Sequence, residues 1–282
     1  MNAARPRADY AEVARLLPSL VPDLHAHLPG PHRAPALSGL VDAYTAARVA
    51  AKALAGPDLA QVASRHISDA AAALSGPEWE GLAAWSRVQA IAQASRSRAY
   101  AVATRTATEI GGCLDQGPVA QVYGSLHLTA SLAAMALGRP DTAQDHVAEA
   151  AEVAARAGVV GPGHGRLWFG TAQVDIWRTT LAVEQGEPAR AVEIARGIDP
   201  SAMPESPSRQ SSWWTDVGRA LAMQRRSEDA VRAFMRAESL APQRLRSDVF
   251  AREVTADLLR RARREAGGRE LRGLAFRMGM AA

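Results

Sequence analysis

The chain has 282 residues, 48% of them hydrophobic, with 14 aromatic side chains and a formal net charge of +4. That is enough apolar material for a sizeable core, which excludes a disordered tail or a stapled mini-protein. The lone Cys113 excludes an intramolecular disulfide and a thiolate metal cluster. With no uninterrupted apolar run of about 18 residues and no apolar core in the opening MNAARPRADY, neither a membrane span nor a secretory signal is expected, which points to a cytoplasmic protein.

Alanine is abundant, no segment alternates with period 2, and short Gly/Pro breaks separate segments of helix length, so the expected class is all-α. In chain order the expected elements are a helix over about 8–28 and helical hairpins over about 36–74, 78–113, 124–157, 172–205 and 211–244. Capping helices follow over 246–280, in one domain.

The hairpin 211–244 carries the pattern. Trp214, Val217, Gly218 and Leu221, then Ala230, Phe234, Ala237 and Pro242, occupy the signature positions of the 34-residue tetratricopeptide unit. The pattern is one of packing: Gly218 and Ala230 let two helices cross closely, Trp214 and Phe234 fill the flanks, and Pro242 ends the second helix. Ala143 and Ala191 align with Ala230 as the small residue after the turn, at spacings of 48 and 39 residues. Such units stack into a right-handed α-solenoid with end helices as caps.

From about Trp168 onward the chain resembles the C-terminal sensor region of actinobacterial Cro/Xre-type helix-turn-helix transcriptional regulators. The resemblance rests on Phe169-Gly170-Thr171, Val183-Glu184-Gln185-Gly186, Asp216-Val217-Gly218-Arg219-Ala220, Ala237 to Pro242, Leu258 to Arg261 and Glu270 to Gly279, and more loosely on Asp9 to Leu28. It implies a tetratricopeptide-like sensor of small molecules or peptides. In those regulators a DNA-binding domain precedes this region, and residues 1–35 do not resemble one. Gln173, Trp177 and Ser211 to Trp214 depart from the usual pattern.

Charge is uneven. Residues 1–200 carry 17 basic and 19 acidic side chains, whereas 201–282 carry 16 and 10. Leu258 to Glu265 alternates Arg with apolar and acidic residues as a solvated capping helix does, and without interleaved aromatics nucleic acid is not an expected partner.

The first helix of each unit is expected to line the inner face, which brings forward Tyr123, His127, Trp168, Gln173, Trp177, Trp213 and Arg219 as ligand-binding candidates. Aromatic faces with a few polar groups suit a small organic molecule or short peptide, while the competing reading of each Trp is packing between repeats. The Gly-rich stretch 161–166, with His164 and Arg166, reads either as a linker or as an anion-binding loop or lid; it is neither a P-loop nor a dinucleotide fingerprint. His25, His27 and His32 cluster locally but lack helical ligand spacing, so no metal is expected, nor any cofactor. No nucleophile motif stands out. The expected function is a ligand- or peptide-binding regulatory protein lacking its own DNA-binding domain, with a homodimer or a protein partner compatible. The alternative is an enzyme or accessory protein of specialised metabolism using the same cavity.

Overall fold

The computed structural model describes residues 1, 3–54, 56–158, 163–199, 206–262 and 268–280. Among them all regular structure is helical: α1 Tyr10–Ala26, α2 Arg33–Ala53, α3 Pro57–Leu74, α4 Pro77–Ile91, α5 Arg96–Ile110, α6 Gly117–Ala136, α7 Pro140–Ala157, α8 Thr171–Glu184, α9 Pro188–Arg196, α10 Pro207–Met223, α11 Ser227–Leu240, α12 Pro242–Ser247, α13 Val249–Ala262 and α14 Arg269–Arg277. No described helix is long and apolar enough to cross a membrane. The expected positions 161–162, 200–205 and 263–265 lie outside the described residues.

Proline opens α3, α4, α7, α9, α10 and α12, at the one helical position where a missing N–H costs nothing and φ is already set. Four hairpins use one turn. The residue before the second helix sits at φ −105°, ψ 66° (Gly56), −117°, 70° (Arg139), −105°, 63° (Glu187) and −87°, 66° (Arg226). Its N–H reaches back five residues, to the carbonyls of Ala51, Ala134, Ala182 and Leu221 at 2.8–3.0 Å. This closes the otherwise orphaned helix end. The α4/α5 hairpin instead caps α5 with the Ser95 hydroxyl, which accepts from the Arg98 N–H. Four residues past each of these positions stands an alanine (Ala60, Ala99, Ala143, Ala191 and Ala230), and all five are at most 1% exposed. A methyl at this point lets the paired helices approach closely.

By internal contacts the chain divides into two compact units, Met1 with Ala11–Trp177 and Asn2–Tyr10 with Arg178–Ala282. In the first, α2 to α6 pack in sequence around Leu40, Ile67, Leu82, Val88, Val122 and Leu126. In the second, Ala182 and Val183 of α8 meet Ala191 and Ala220, and a Cβ on Gly218 would lie 2.5 Å from the fully buried Phe234 ring. The two helices α10 and α11 thus cross closely at Gly218. Pro242 opens α12 directly after α11 ends. The first residues belong to this unit too: the Ser208 N–H donates to the Pro6 carbonyl at 2.8 Å and Gln243 Nε2 to Asp9 Oδ1 at 2.9 Å.

Candidate functional site

The segment 163–169 in the first unit is held in a conformation its glycines make possible. Gly163 has φ 56°, ψ −165°, and a Cβ there would stand 2.1 Å from Gln121 Oε1, the atom that accepts the His164 N–H at 2.8 Å. Gly165, also at φ 56°, faces Leu82 so closely that a Cβ would lie 2.6 Å away. Arg166 and Trp168 adopt φ 54° and 56°, a region that costs a residue with a Cβ about 1–2 kcal/mol. Leu167, Trp168 and Phe169, all buried, hold the segment in place against that strain.

What the segment presents is His164. With Gly163, Gly165 and Arg166, and with Ser38, Val41 and Asp42 of α2 and Trp79 of α4, it lines a pocket of about 370 Å3. The imidazole meets the Trp79 ring edge-on, centroids 4.6 Å apart. Burial lowers its pKa, against the opposing pull of a hydrogen bond to the Glu78 backbone and the charges of Glu78 and Asp42. It is therefore neutral at pH 7. A neutral ring that donates to a backbone carbonyl keeps a lone pair on its other nitrogen, and Nε2 is sealed from solvent without a hydrogen-bond partner. On the pocket wall Arg166 Nε stands 4.0 Å from Asp42 Oδ2, each side chain about one third exposed (30% and 37%). The wall thus offers a cation, an anion, a hydroxyl, a neutral imidazole and an indole. A few polar groups of this kind around a cavity of this size are what orient a small guest.

Tyr123 and His127, one turn apart on α6, form a second cluster in the same unit. Their rings lie 4.5 Å apart. The Tyr123 hydroxyl donates to Glu149 Oε1 of α7 at 2.9 Å, and burial together with that bond pushes the phenol up to about 12. His127 Nδ1 lies 3.1 Å from His146 Nδ1, and His146 Nε2 lies 3.2 Å from the Tyr100 hydroxyl of α5. Burial, then the neighbouring His146, lowers His127 to about 4. The Tyr123 hydroxyl and His127 Nδ1 are thus each engaged with a side chain of α7, and His146 extends the second link to α5.

Trp168 and Gln173 are buried (9% and 7% exposed), and Trp177 is half-buried on α8. In the second unit Trp213 is 4% exposed, with the Trp214 ring 4.6 Å away, and neither indole N–H has a hydrogen-bond partner. Arg219 ties α8 to α10: Nη2 donates to Glu184 Oε1 at 2.8 Å and Nη1 to Asp216 Oδ1 at 3.1 Å. Thr180 Oγ1 donates to the other Asp216 oxygen at 2.7 Å. Burial raises the Asp216 pKa despite these partners. The Arg219 guanidinium also stands 4.4 Å over the exposed Phe250 ring, a cation–π placement.

No family model, curated protein or solved structure matches this chain. The assignment of a site therefore rests on the geometry above. Sequence reasoning flagged His164 and Arg166 as a possible anion-binding loop but passed over Ser38, Asp42 and Trp79, which lie over 80 residues upstream. It also passed over Tyr100, His146 and Glu149; the i, i+3 spacing of His146 and Glu149 facing the i, i+4 pair Tyr123 and His127 was the available signal. Among the described residues no three His, Cys, Asp or Glu side chains are grouped to hold a metal ion. His25 Nε2 lies instead 3.2 Å from the Tyr44 hydroxyl.

Proposed function

We propose that the chain is a tetratricopeptide-type helical-repeat binding protein, akin to the sensor regions of Cro/Xre-type regulators, and that it takes a small organic molecule in the pocket around His164. The repeat part of this reading is supported by the shared hairpin turn and by the five buried alanines in register. The binding part rests on one observation: a glycine-dependent loop brings His164 and Arg166 to the wall of a pocket of about 370 Å3 that Ser38, Asp42 and Trp79 complete. A plain inter-helix linker needs no such backbone. Binding would act on the helix pairs that form the walls by selecting one of their arrangements.

The test is a thermal-shift and calorimetric screen of amino acids, nucleosides, sugars and organic acids, run in parallel on His164→Ala. Compounds that stabilise the wild type and not the variant support the reading. Stabilisation unaffected by the substitution refutes this pocket as the site. The second reading, an enzyme or accessory protein of specialised metabolism using the same cavity, is separated from the first by conversion of a bound compound, followed by mass spectrometry.

A further inference from the structure

Residues 81–110 hold four arginines, Arg87, Arg96, Arg98 and Arg105, and a single acid, Glu109, although residues 1–200 as a whole carry 17 basic and 19 acidic side chains. Arg96 and Arg98 stand at the start of α5, whose first turn has no acid. A cation there faces the positive end of the helix dipole and is disfavoured. A local preference broken in this way points to a use for the charge. The fold gathers that charge in one place: Arg87 of α4 joins Arg98 and Arg105 of α5 on the wall of a groove of about 680 Å3, which no acidic residue lines and which shares no residue with the His164 pocket. Among the described residues no ion pair or hydrogen bond engages the guanidinium of Arg87 or Arg98. Arg105 forms an ion pair with Glu109 at 3.7 Å, the side chains 66% and 47% exposed, and a pair so open to water holds weakly.

The remaining wall narrows the guest. Between Arg98 and Arg105, about two helical turns apart, Ala101 and Val102 supply an apolar floor. The Thr104 and Thr108 hydroxyls also line the groove, and both already donate, to the carbonyls of Tyr100 and Thr104 at 3.0 and 3.1 Å. What they offer a guest is therefore lone pairs, which accept from a hydroxyl. Arg139 adds a further cation beside the groove, its guanidinium 5.9 Å from the centre of the Tyr100 ring. Several guanidiniums with one weakly held carboxylate suit a doubly charged anion, and their planar fork matches the oxygens of a phosphate. The volume lies within the range of about 300–1,000 Å3 usual for small-molecule sites.

We propose that the groove between α4 and α5 binds a phosphate monoester of a small hydroxylated molecule, a sugar phosphate or nucleoside monophosphate, with the phosphate held among Arg87, Arg98 and Arg105. The site is separate from the His164 pocket, so the two readings stand or fall independently. The probes are glucose 6-phosphate and adenosine 5′-monophosphate, titrated into the full chain by calorimetry at low salt beside glucose, adenosine, inorganic phosphate and succinate. At least one ester should bind with submillimolar affinity, about tenfold or more tightly than its unphosphorylated parent, inorganic phosphate or succinate. Arg87→Gln and Arg98→Gln should each weaken it by about tenfold or more, while His164→Ala and Arg236→Gln, the latter at an exposed arginine of α11 outside the groove, should leave it unchanged. Both groove arginines are exposed, and unchanged melting temperatures verify that the variants fold. Failure of both esters to bind at millimolar concentration overturns the proposal, as does a loss in Arg236→Gln equal to that in Arg87→Gln. Succinate binding as tightly as the esters would reduce the groove to a general dianion site, and inorganic phosphate doing so would remove the hydroxylated part; either overturns the assignment. Binding of a phosphopeptide or an oligonucleotide when neither ester binds would overturn it in favour of a macromolecular partner.

Discussion

Replacing Gly124 by Ala sets two effects of opposite sign against each other. Gly124 lies inside α6, where alanine is favoured over glycine by about 1 kcal/mol, so local propensity predicts a more stable protein. The added methyl, however, would stand 1.9 Å from Cζ of Phe169, with two further ring carbons within 2.7 Å. The ring must retreat by about 1.5 Å to reach ordinary contact, and Phe169 is only 1% exposed, with neighbours on every side. Overpacking of this kind costs about 1–3 kcal/mol, and complete expulsion of the ring approaches the 3–5 kcal/mol of a Phe→Ala truncation. After the helix gain is set against these costs, Gly124→Ala should be destabilised by up to about 2 kcal/mol if the ring shifts and by about 2–4 kcal/mol if it is expelled. Urea unfolding followed by circular dichroism measures the loss, and hydrogen exchange in α6 locates it. Because Phe169 anchors the segment that carries His164, binding in the pocket should fall as well. Trimming the ring in the double variant Gly124→Ala/Phe169→Leu should recover part of the stability. A Gly124→Ala protein that is more stable than wild type by about 1 kcal/mol would refute this packing argument.

Three further outcomes are expected. His127 has a folded pKa of about 4, below its unfolded value near 6.5. The unfolded chain therefore takes up a proton that the fold refuses. Stability should be level above about pH 6.5 and fall between pH 6.5 and 4, by at most about 3 kcal/mol from this group. Melting curves across that range should be flatter for His127→Gln, and an identical slope would exclude His127 as the source. Arg219→Ala leaves the buried Asp216 with Thr180 as its only remaining bond of those described above. It should cost about 3 kcal/mol, partly restored by adding Asp216→Asn; an unchanged denaturation midpoint would contradict the assignment. Glu238→Ala removes the carboxylate that joins Arg246 of α12 to Arg277 of α14. A loss of about 1–3 kcal/mol, with faster hydrogen exchange in α14, is expected, and unaltered exchange there would argue against the link.

The sequence by itself determined the helical class and the places of the buried alanines behind the hairpin turns. Both are local properties: a proline at a helix start, a turn that fixes a handful of dihedrals, and a small residue four places later are all written within a dozen consecutive residues. Thus Ala143, Ala191 and Ala230, aligned by pattern alone, are buried at equivalent places behind the same turn. Gly218, expected at a close helix crossing, lies against the Phe234 ring. The sequence also singled out His164 and Arg166, because glycine-rich backbone beside titratable groups is visible locally.

Only the tertiary structure decided what those residues face. Trp79, Asp42 and Ser38 become neighbours of His164 through packing of α2 and α4 against a loop over 80 residues downstream, and no spacing rule links them. Tyr123, His127 and Arg219 look alike in sequence as polar or aromatic positions on first helices, yet their polar atoms bond Glu149, His146, and Asp216 with Glu184. Whether a side chain meets a guest or a neighbour depends on which groups long-range packing brings within about 3 Å of it, and a one-dimensional pattern does not carry that distance.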